Sequence, residues 1–306
     1  MPSPFRLLTA LLTALALHPA GAAHADAPVL LVLGDVGEAH EETAEAIRQA
    51  LPRGTEVDQI GWSAVAGSHL RGRRVVVTVG GRAAQAVAAA APPVPVLHTL
   101  LTRTSFARLP AASRTGAEVS AVFLDQPAQR QVALIRLALP DARRLALLAG
   151  PASRELVDEL AEAGRTFRFE PIQARVDTEQ DLFVALQQVF SEPAVLTATP
   201  DPAVFNSYTV QNVLLTAYRH RSPVIGFSPA YARAGALLAL YSTPAQIGSQ
   251  AGDAVAGVLR GGRLPLPAAP REFEISVNSN VARSLGIELD SAEGLTARLM
   301  KQEQGR

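Results

Sequence analysis

The sequence predicts an α/β fold made of two Rossmann-like, doubly wound lobes joined by a hinge. Short strand-like runs rich in Val, Leu and Ile alternate with Ala-rich amphipathic segments, which is the pattern of parallel βαβ units. The alternation fills the first half of the chain and starts again near residue 144. The chain has 306 residues, which is long for one hydrophobic core and ordinary for two.

The N-terminal segment before this pattern has the features of a secretory signal peptide. Arg6 supplies a positive charge, residues 7–17 form a short apolar run, and Ala23-His24-Ala25 is a small-x-small cleavage site. The apolar run is shorter than the roughly 20 residues that a membrane-spanning helix needs. We expect cleavage after Ala25, export to the periplasm, and no membrane insertion of the mature chain.

In the first lobe, strand and helix patterns alternate as far as residue 124. The strongest strand pattern is the run of Val and Thr that ends in Gly80 and Gly81. An irregular loop is expected over 99–113. Strands are predicted over 28–33, 55–60, 74–79, 94–98 and 116–124, and helices over 38–51 and 82–91.

The second lobe repeats the alternation and ends in a charged segment. Residues 228–235 are expected to form a loop, and the tail from Ser291 is expected to fray. Helices are predicted over 127–139, 153–163, 178–190, 206–221, 244–259 and 281–285, and strands over 144–149, 166–172, 194–198, 223–227, 236–241 and 272–277.

Composition excludes several classes of function. The formal net charge is zero, so the chain has no basic field for a nucleic-acid backbone. It has no cysteine, which excludes disulfides, thiolate catalysis, thiolate metal sites and a lipid-modified N-terminal cysteine. His40, His69, His98 and His220 are far apart and lack metal-ligand spacing. We expect no metal, no cofactor and no nucleic-acid partner.

Motifs for catalysis and for dinucleotide binding are incomplete. Residues 226–230 (GFSPA) lack the second glycine of a nucleophile elbow, and Pro229 has no N–H for an oxyanion hole. Residues 34–37 (GDVG) and 80–83 (GGRA) are partial forms of the dinucleotide fingerprint. An exported α/β enzyme stays an alternative that would need a nucleophile or metal set that we do not find.

The loops that follow strands are the candidate ligand sites, because ligands of open α/β sheets bind at the carboxyl ends of the strands. Gly80 and Gly81 open a helix whose N–H groups suit an anion, with Arg82 as a clamp. The same glycines are equally consistent with a tight turn that leaves Arg82 in solvent. Further candidates in such loops are Asp35, Thr99 and Ser228.

Aromatic residues are concentrated in the second lobe, where all four tyrosines lie between residues 208 and 241. Phe205, Tyr208 and Tyr231 adjoin loops after strands and are candidates for the ligand cleft, with simple packing as the alternative. Tyr218 is expected in the core. Trp62, after the second strand, is a further candidate.

Asp201 and Asn206 lie between a strand and the following helix. A carboxylate at Asp201 could receive a ligand amine or hydroxyl group, or it could cap the helix. We favour ligand contact for Asp201 and capping for Asn206, and we keep both as candidate site residues.

Five segments of the C-terminal half resemble the substrate-binding components of ABC-type uptake systems, in the TrpX-like, type I periplasmic-binding class. The resemblance implies two Rossmann-like lobes that are joined by three crossovers and close over a small ligand, which is an aromatic amino acid for some members. It implies binding rather than catalysis, with an inner-membrane ABC permease as partner. The segments are 200–206 (PDPAVFN), 222–228 (SPVIGFS), 234–237 (AGAL), 246–251 (QIGSQA) and 277–286 (VNSNVARSLG).

We therefore expect a monomeric periplasmic solute-binding protein that captures a small molecule and delivers it to the permease. The alternative is a sensory binding module that presents its ligand state to a membrane receptor such as a histidine kinase. Crossovers are expected near Leu124, near Tyr241 and over 263–270. The expected domains are a signal peptide (1–25), an N-terminal lobe (26–124 plus about 241–265) and a C-terminal lobe (125–240 plus about 266–300).

Overall fold

Two β-sheets organise the chain, and each has helices packed on both faces. The computed structural model describes residues 27–110, 116–178 and 180–305. The expected signal peptide, residues 1–25, lies outside the described residues, and so does part of the predicted loop at 99–113. The predicted α/β class with two doubly wound lobes is confirmed.

The first sheet has the strand order β2-β1-β3-β4-β5, and all of its strands are parallel. Alternate residues of β1, an inner strand of this sheet, belong to opposite cores, with Leu31 in one cluster and Leu30 in the other. Because both faces are covered, this strand is apolar throughout. The elements are β1 (Val29–Leu33), α1 (Glu38–Ala50), β2 (Val57–Gly61), a 3-10 turn (Trp62–Ala64), α2 (Gly67–Leu70), β3 (Val75–Val79), α3 (Gly81–Ala90), β4 (Val96–Leu101), α4 (Arg103–Ala107) and β5 (Val119–Phe123).

The second sheet has the strand order β11-β10-β9-β8-β6-β7, with only β11 antiparallel to its neighbour among the described pairs. Leu147 and Leu148 of one strand again belong to opposite cores. The elements are α5 (Ala128–Ala138), β6 (Arg144–Ala149), α6 (Arg154–Thr166), β7 (Glu170–Arg175), α7 (Asp181–Val189), β8 (Val195–Thr197), α8 (Val210–Arg219), β9 (Val224–Gly226), α9 (Pro229–Ala234), β10 (Leu238–Tyr241), α10 (Pro244–Leu259), β11 (Glu274–Val277), α11 (Ser279–Leu285) and α12 (Ala292–Gln304).

Helix α10 returns to the first sheet, where it packs along α1. It begins with a capping box in which the Thr243 side chain accepts from the Gln246 N–H and the Gln246 side chain accepts from the Thr243 N–H. Gly248 and Gly252 allow close approach, because a Cβ on Gly248 would lie 2.5 Å from the Thr43 carbonyl oxygen. The small residues of α10 thus set the distance between the two helices.

The chain passes between the two sheets three times in the described residues. The first crossover (124–127) follows β5, and the second (242–243) joins β10 to α10. After α10 the chain runs beside β5, where the Ala268 N–H donates to the Ala121 carbonyl and the Phe123 N–H donates to the Ala268 carbonyl. The third crossover (269–273) then leads to β11.

Two segments expected to be irregular are helical. Residues 228–235 contain α9, which Ser228 precedes and Pro229 begins. The tail from Ser291 forms α12, capped by the Ser291 hydroxyl, and buries Leu295 and Leu299 against the second sheet's core. The expectation of fraying was wrong because these leucines, four residues apart, give the charged tail one apolar face.

Other helices and strands begin or end at residues different from those predicted, and the reasons are local. The helix predicted over 206–221 starts at Val210, because the preceding residues form hydrogen-bonded turns. Strand β4 runs on to Leu101, and α4 follows at once within the predicted irregular loop. The strand predicted over 166–172 starts later, because α6 extends through Thr166.

Candidate functional site

The carboxyl ends of strands from both sheets surround a cavity of about 510 Å³, which we call the central cavity. Thr102 and Leu124 line it from the ends of β4 and β5. Phe227 and Ser228 line it from the end of β9. Residues of the first two crossovers also line it. A site in this position fits the rule that open α/β sheets bind ligands beyond the carboxyl ends of their strands.

A second space, the adjoining cavity, has a volume of about 520 Å³. It shares Asp125 and Gln126 with the central cavity. Its other lining residues belong to α4, α5 and α6, to the end of β5 and the first crossover, and to the chain from Pro267 to Ala269. Two of its lining residues, Arg103 and Glu159, form an ion pair with an Nη2 to Oε2 distance of 2.8 Å. The ion pair links a helix of the first sheet to a helix of the second.

Asp125 lies on the first crossover, between the two cavities. Its Oδ2 atom accepts a hydrogen bond from the Arg103 backbone N–H at 2.6 Å. Burial raises the pKa of the Asp125 carboxyl, and the hydrogen bond and nearby charge of Arg103 only partly oppose that shift. Asp125 is thus a partly buried carboxylate whose charge is incompletely compensated.

Gln126, on the first crossover, forms side-chain hydrogen bonds that connect the crossovers. Its Nε2 group donates to Ser242 Oγ at 2.8 Å, and its Oε1 atom accepts from Arg130 Nη1 at 2.9 Å. Arg130 also donates to the Pro270 carbonyl and forms two hydrogen bonds to Glu303 on α12. One buried network therefore contacts all three crossovers.

Tyr241 and Glu274 line the central cavity from the paired strands β10 and β11, in which they are directly opposite. The Tyr241 hydroxyl donates to Glu274 Oε2 at 3.2 Å and lies 3.0 Å from Ser276 Oγ. Their ring and carboxylate are thereby held at the edge of the cavity.

Three of the predicted site residues, Asp35, Trp62 and Arg82, meet beyond the carboxyl ends of β1, β2 and β3, a position that we call the rim of the first sheet. Arg82 Nη1 lies 3.4 Å from Asp35 Oδ1, and its guanidinium lies 5.9 Å from the centre of the Trp62 ring. All three side chains are exposed, so the ion pair is weak. Gly80 has a φ of 93°, and Gly81 starts α3. None of these five residues lines the central cavity.

Thr99 and Asp201 use their polar groups within the protein. The Thr99 hydroxyl is buried and donates to the Thr78 carbonyl at 2.8 Å. Asp201 is 1% exposed; its Oδ2 atom accepts from Ala152 N–H and Ser153 Oγ, each at 2.8 Å. Its Oδ1 atom accepts from the Ala203 N–H at 3.0 Å. The carboxylate that the sequence favoured for ligand contact thus joins the loops after β6 and β8.

Asn206 accepts hydrogen bonds in the turn before α8, but the N-cap of that helix is Thr209, so the expectation that Asn206 caps it was wrong. Its Oδ1 atom accepts from the backbone N–H groups of Tyr208, at 2.8 Å, and Thr209, at 3.1 Å. Tyr208 is 84% exposed. Tyr218, expected in the core, is 48% exposed because it lies on the outer face of α8.

The remaining aromatic candidates form a cluster behind the central cavity. Tyr231 packs against Phe227, with ring centres 4.6 Å apart, and meets the buried Phe205 edge-on at 6.4 Å. Burial raises the pKa of Tyr231 to about 12. Among the predicted site residues of this loop, Ser228 lines the central cavity. Tyr231 lies outside that lining and packs against Phe227, which lines the cavity.

Sequence reasoning missed several residues that line the central cavity, among them Asp125, Gln126, Tyr241 and Glu274. Asp125 and Tyr241 stand at the ends of predicted strands where crossovers were expected. Their position could have marked them as candidate site residues, because a residue at a crossover lies between the two sheets.

Neither metal sites nor membrane spans are found in the part of the chain that the structure describes. No group of three or more His, Asp or Glu side chains there could hold a metal ion. No helix in that part is both long enough and apolar enough to cross a membrane.

The fold and the central cavity define a two-lobe ligand-binding protein of the type I periplasmic-binding class. Residues 68–297 match the family model described as ABC transporter substrate binding protein. The chain belongs to this family of proteins, which bind small ligands for ABC transporters. No curated protein matches the chain.

Solved structures share the fold at low sequence identity. A ligand-free, open substrate-binding protein with adhesive properties from Clostridium difficile has a TM-score of 0.70 at 18% identity, covering 87% of this chain and 97% of that one. An ABC domain in complex with L-Trp from Streptococcus pneumonia has a TM-score of 0.60 at 17% identity, covering 89% and 98%. A conserved domain protein from Vibrio cholerae has a TM-score of 0.60 at 22% identity, covering 89% and 98%.

Proposed function

We propose that the protein captures a small molecule in the central cavity, between two lobes, and delivers it to an inner-membrane ABC permease. The observation that carries this proposal is the position of the cavity, at the carboxyl ends of strands from both sheets and on the crossovers that join them. A cavity of about 510 Å³ falls within the usual range for small-molecule sites.

The proposal includes a division into lobes. The N-terminal lobe comprises the first sheet with α10 and the segment that runs beside β5, and the C-terminal lobe comprises the second sheet with its helices. Closure then bends the three crossovers. The rim formed by Asp35, Trp62 and Arg82, with Gly80 and Gly81 beside it, stands at the carboxyl ends of β1, β2 and β3, and we propose that it reaches the ligand on closure.

The proposed setting is the periplasm, where the protein acts as a monomer after its signal peptide is removed. Family members are typically exported, and the N-terminal segment has the pattern of a cleavable signal. Mass spectrometry of protein recovered from periplasm tests this directly. A mature chain that begins at Asp26 is the expected result.

A thermal-shift screen tests ligand binding, because a compound that binds the native state raises the melting temperature. The panel comprises amino acids, amines, sugars, nucleosides and organic anions, with L-Trp included because it is bound in the Streptococcus structure. At least one class should raise the melting temperature in a concentration-dependent manner. Failure of every class, or turnover of the bound compound, would contradict the proposal.

Delivery to a permease has its own test. The ligand-loaded protein should stimulate the ATPase activity of its permease in proteoliposomes, and the ligand-free protein should do so less. Ligand binding without any such stimulation would favour a sensory role instead.

A further inference from the structure

Among the residues that line the central and adjoining cavities, acidic side chains outnumber basic ones. Arg103 is the one basic residue among the described lining residues of both cavities. The carboxylates in the same lining are Glu42, Asp125, Glu159, Glu162 and Glu274.

The guanidinium of Arg103 is already engaged. Its Nη2 atom donates to Glu159 Oε2 at 2.8 Å, and this hydrogen bond is the main reason that the pKa of Arg103 is raised. Arg103 also belongs to the lining of the adjoining cavity and not to that of the central cavity. The described lining of the central cavity therefore contains the carboxylates of Glu42, Asp125 and Glu274 and no Lys, Arg or His.

Of these carboxylates, Asp125 is the one most removed from water. Its raised pKa has burial as the main cause, which means that its charged form lacks full compensation from the protein. A ligand ammonium group would supply the missing positive charge together with N–H donors. A ligand carboxylate would instead meet like charges, which disfavour its binding.

The rest of the central cavity is largely apolar. Phe227, Leu156 and Leu240 line it from the second sheet's side, and the ring of Tyr241 lies beside Glu274. Aromatic faces attract organic cations as well as apolar groups. The lining thus combines aromatic and aliphatic side chains with three carboxylates.

We propose that the ligand is an organic cation, in which a protonated amine is attached to an apolar or aromatic body. The ammonium group lies against Asp125, with Glu274 as the second carboxylate, and the body packs against Phe227 and Leu156. This inference rests on the proposed binding function and specifies the chemical class of its ligand.

Matched ligand series test the charge requirement by isothermal titration calorimetry on the mature protein. One series is tryptamine, indole-3-ethanol and indole-3-propionate; the other is 2-phenylethylamine, 2-phenylethanol and 3-phenylpropanoate. Within each series the body is nearly constant and the charge changes from positive to neutral to negative. In at least one series, the amine should bind at least tenfold more tightly than the alcohol, and the carboxylate should bind most weakly.

Conservative variants test which carboxylates bind the ammonium group of the ligand. Asp125→Asn keeps an acceptor for the Arg103 N–H and removes the negative charge. Glu274→Gln keeps an acceptor for the Tyr241 hydroxyl and removes the charge at the exposed edge of the cavity. Each should weaken amine binding about tenfold or more while changing alcohol binding little. Glu288→Gln is the matched control, because Glu288 is exposed and lines a different cavity at the opposite end of the second sheet. Circular dichroism verifies that each variant is folded.

The outcomes separate this inference from the binding function itself. An alcohol or carboxylate that binds as tightly as its amine would overturn the cation proposal and leave the binding function intact. Amine binding that neither Asp125→Asn nor Glu274→Gln weakens would also overturn it. If no compound of either series binds, the cation proposal fails, and the broad screen decides whether a ligand of another class sustains the binding function.

Discussion

Gln126 donates a hydrogen bond to Ser242 across 2.8 Å, and this contact joins the first crossover to the second. Gln126 is buried, and its other side-chain atom accepts from Arg130, which also reaches the third crossover through Pro270. The segments that would bend on closure are therefore held by shared side-chain hydrogen bonds rather than by separate ones.

Removal of the Gln126 amide should loosen this junction. We expect Gln126→Ala to lower the free energy of unfolding by about 1–2 kcal/mol, because buried donors and acceptors lose their partners. Urea unfolding provides the measurement. Gln129→Ala is the control, since Gln129 is exposed on α5, which begins just after Gln126, and it should cost less than about 0.5 kcal/mol. Equal stabilities for the two variants would contradict the role assigned to Gln126.

Asp201 should matter for stability, whatever its effect on the ligand. Asp201→Ala removes an acceptor from Ser153 and from two backbone N–H groups near a buried position, so we expect a loss of about 3 kcal/mol. Thermal and urea unfolding measure this loss. Asp177→Ala is a matched control, because Asp177 pairs with Arg154 at the surface, where ion pairs contribute less than about 1 kcal/mol. A fully stable Asp201→Ala protein would show that these hydrogen bonds are dispensable.

His98 should make stability depend on pH. Burial lowers its pKa to about 4, and its Nδ1 atom lies 2.7 Å from Thr78 Oγ1. The unfolded chain, with a His pKa of about 6.5, binds more protons between these two values, so stability falls as the pH drops from 6.5 towards 4. The loss of stability is of the order of 3 kcal/mol once the pH is below 4, and it disappears when the pH is well above 6.5.

A pair of variants tests whether His98 causes this pH dependence of stability. In His98→Asn the dependence of unfolding free energy on pH over this window should become flatter. In His69→Asn it should match the original protein, because His69 is exposed. Parallel pH profiles for His98→Asn and the unchanged protein would refute the assignment.

The contact between α1 and α10 depends on two glycines. A Cβ on Gly248 would lie 2.5 Å from the Thr43 carbonyl oxygen, and one on Gly252 would lie 2.5 Å from the Ala50 Cβ. We expect Gly248→Ala and Gly252→Ala each to destabilise the protein by about 1–3 kcal/mol through overpacking. Gly257→Ala, on the same helix with no atom within 4 Å of its Cβ, should stabilise by about 0.5–1 kcal/mol. Opposite signs in urea unfolding would confirm the close contact, and equal effects would contradict it.

The local sequence pattern was sufficient to predict those strands that are buried on both faces, because such strands consist almost entirely of apolar residues. Strands β1 and β3 are continuous runs of Val, Leu and Thr, and their elements were predictable to within a residue. Helix α12 was not, because its charged residues conceal Leu295 and Leu299, which become buried only against α5 and β11. Helix α9 was missed because its Pro-containing start and short length resemble a loop.

The candidate site was less accessible to sequence reasoning than the fold. Asp201 and Asp125 both follow strands and look alike in sequence, yet Asp201 is enclosed by the loop after β6 while Asp125 lies between two cavities. Glu274 lies far from either in sequence and reaches the central cavity because β11 returns to pair with β10.

The sequence by itself determined the alternation that specifies two α/β sheets, the absence of cysteine and of net charge, and the resemblance that the family match confirms. The tertiary structure alone decided which polar side chains are satisfied within the protein and which face the central cavity. The physical reason is that strand and helix patterns are set by neighbours a few residues apart. Whether a carboxylate such as Asp201 or Asp125 finds its hydrogen-bond donors inside the protein depends on segments that only long-range packing brings together.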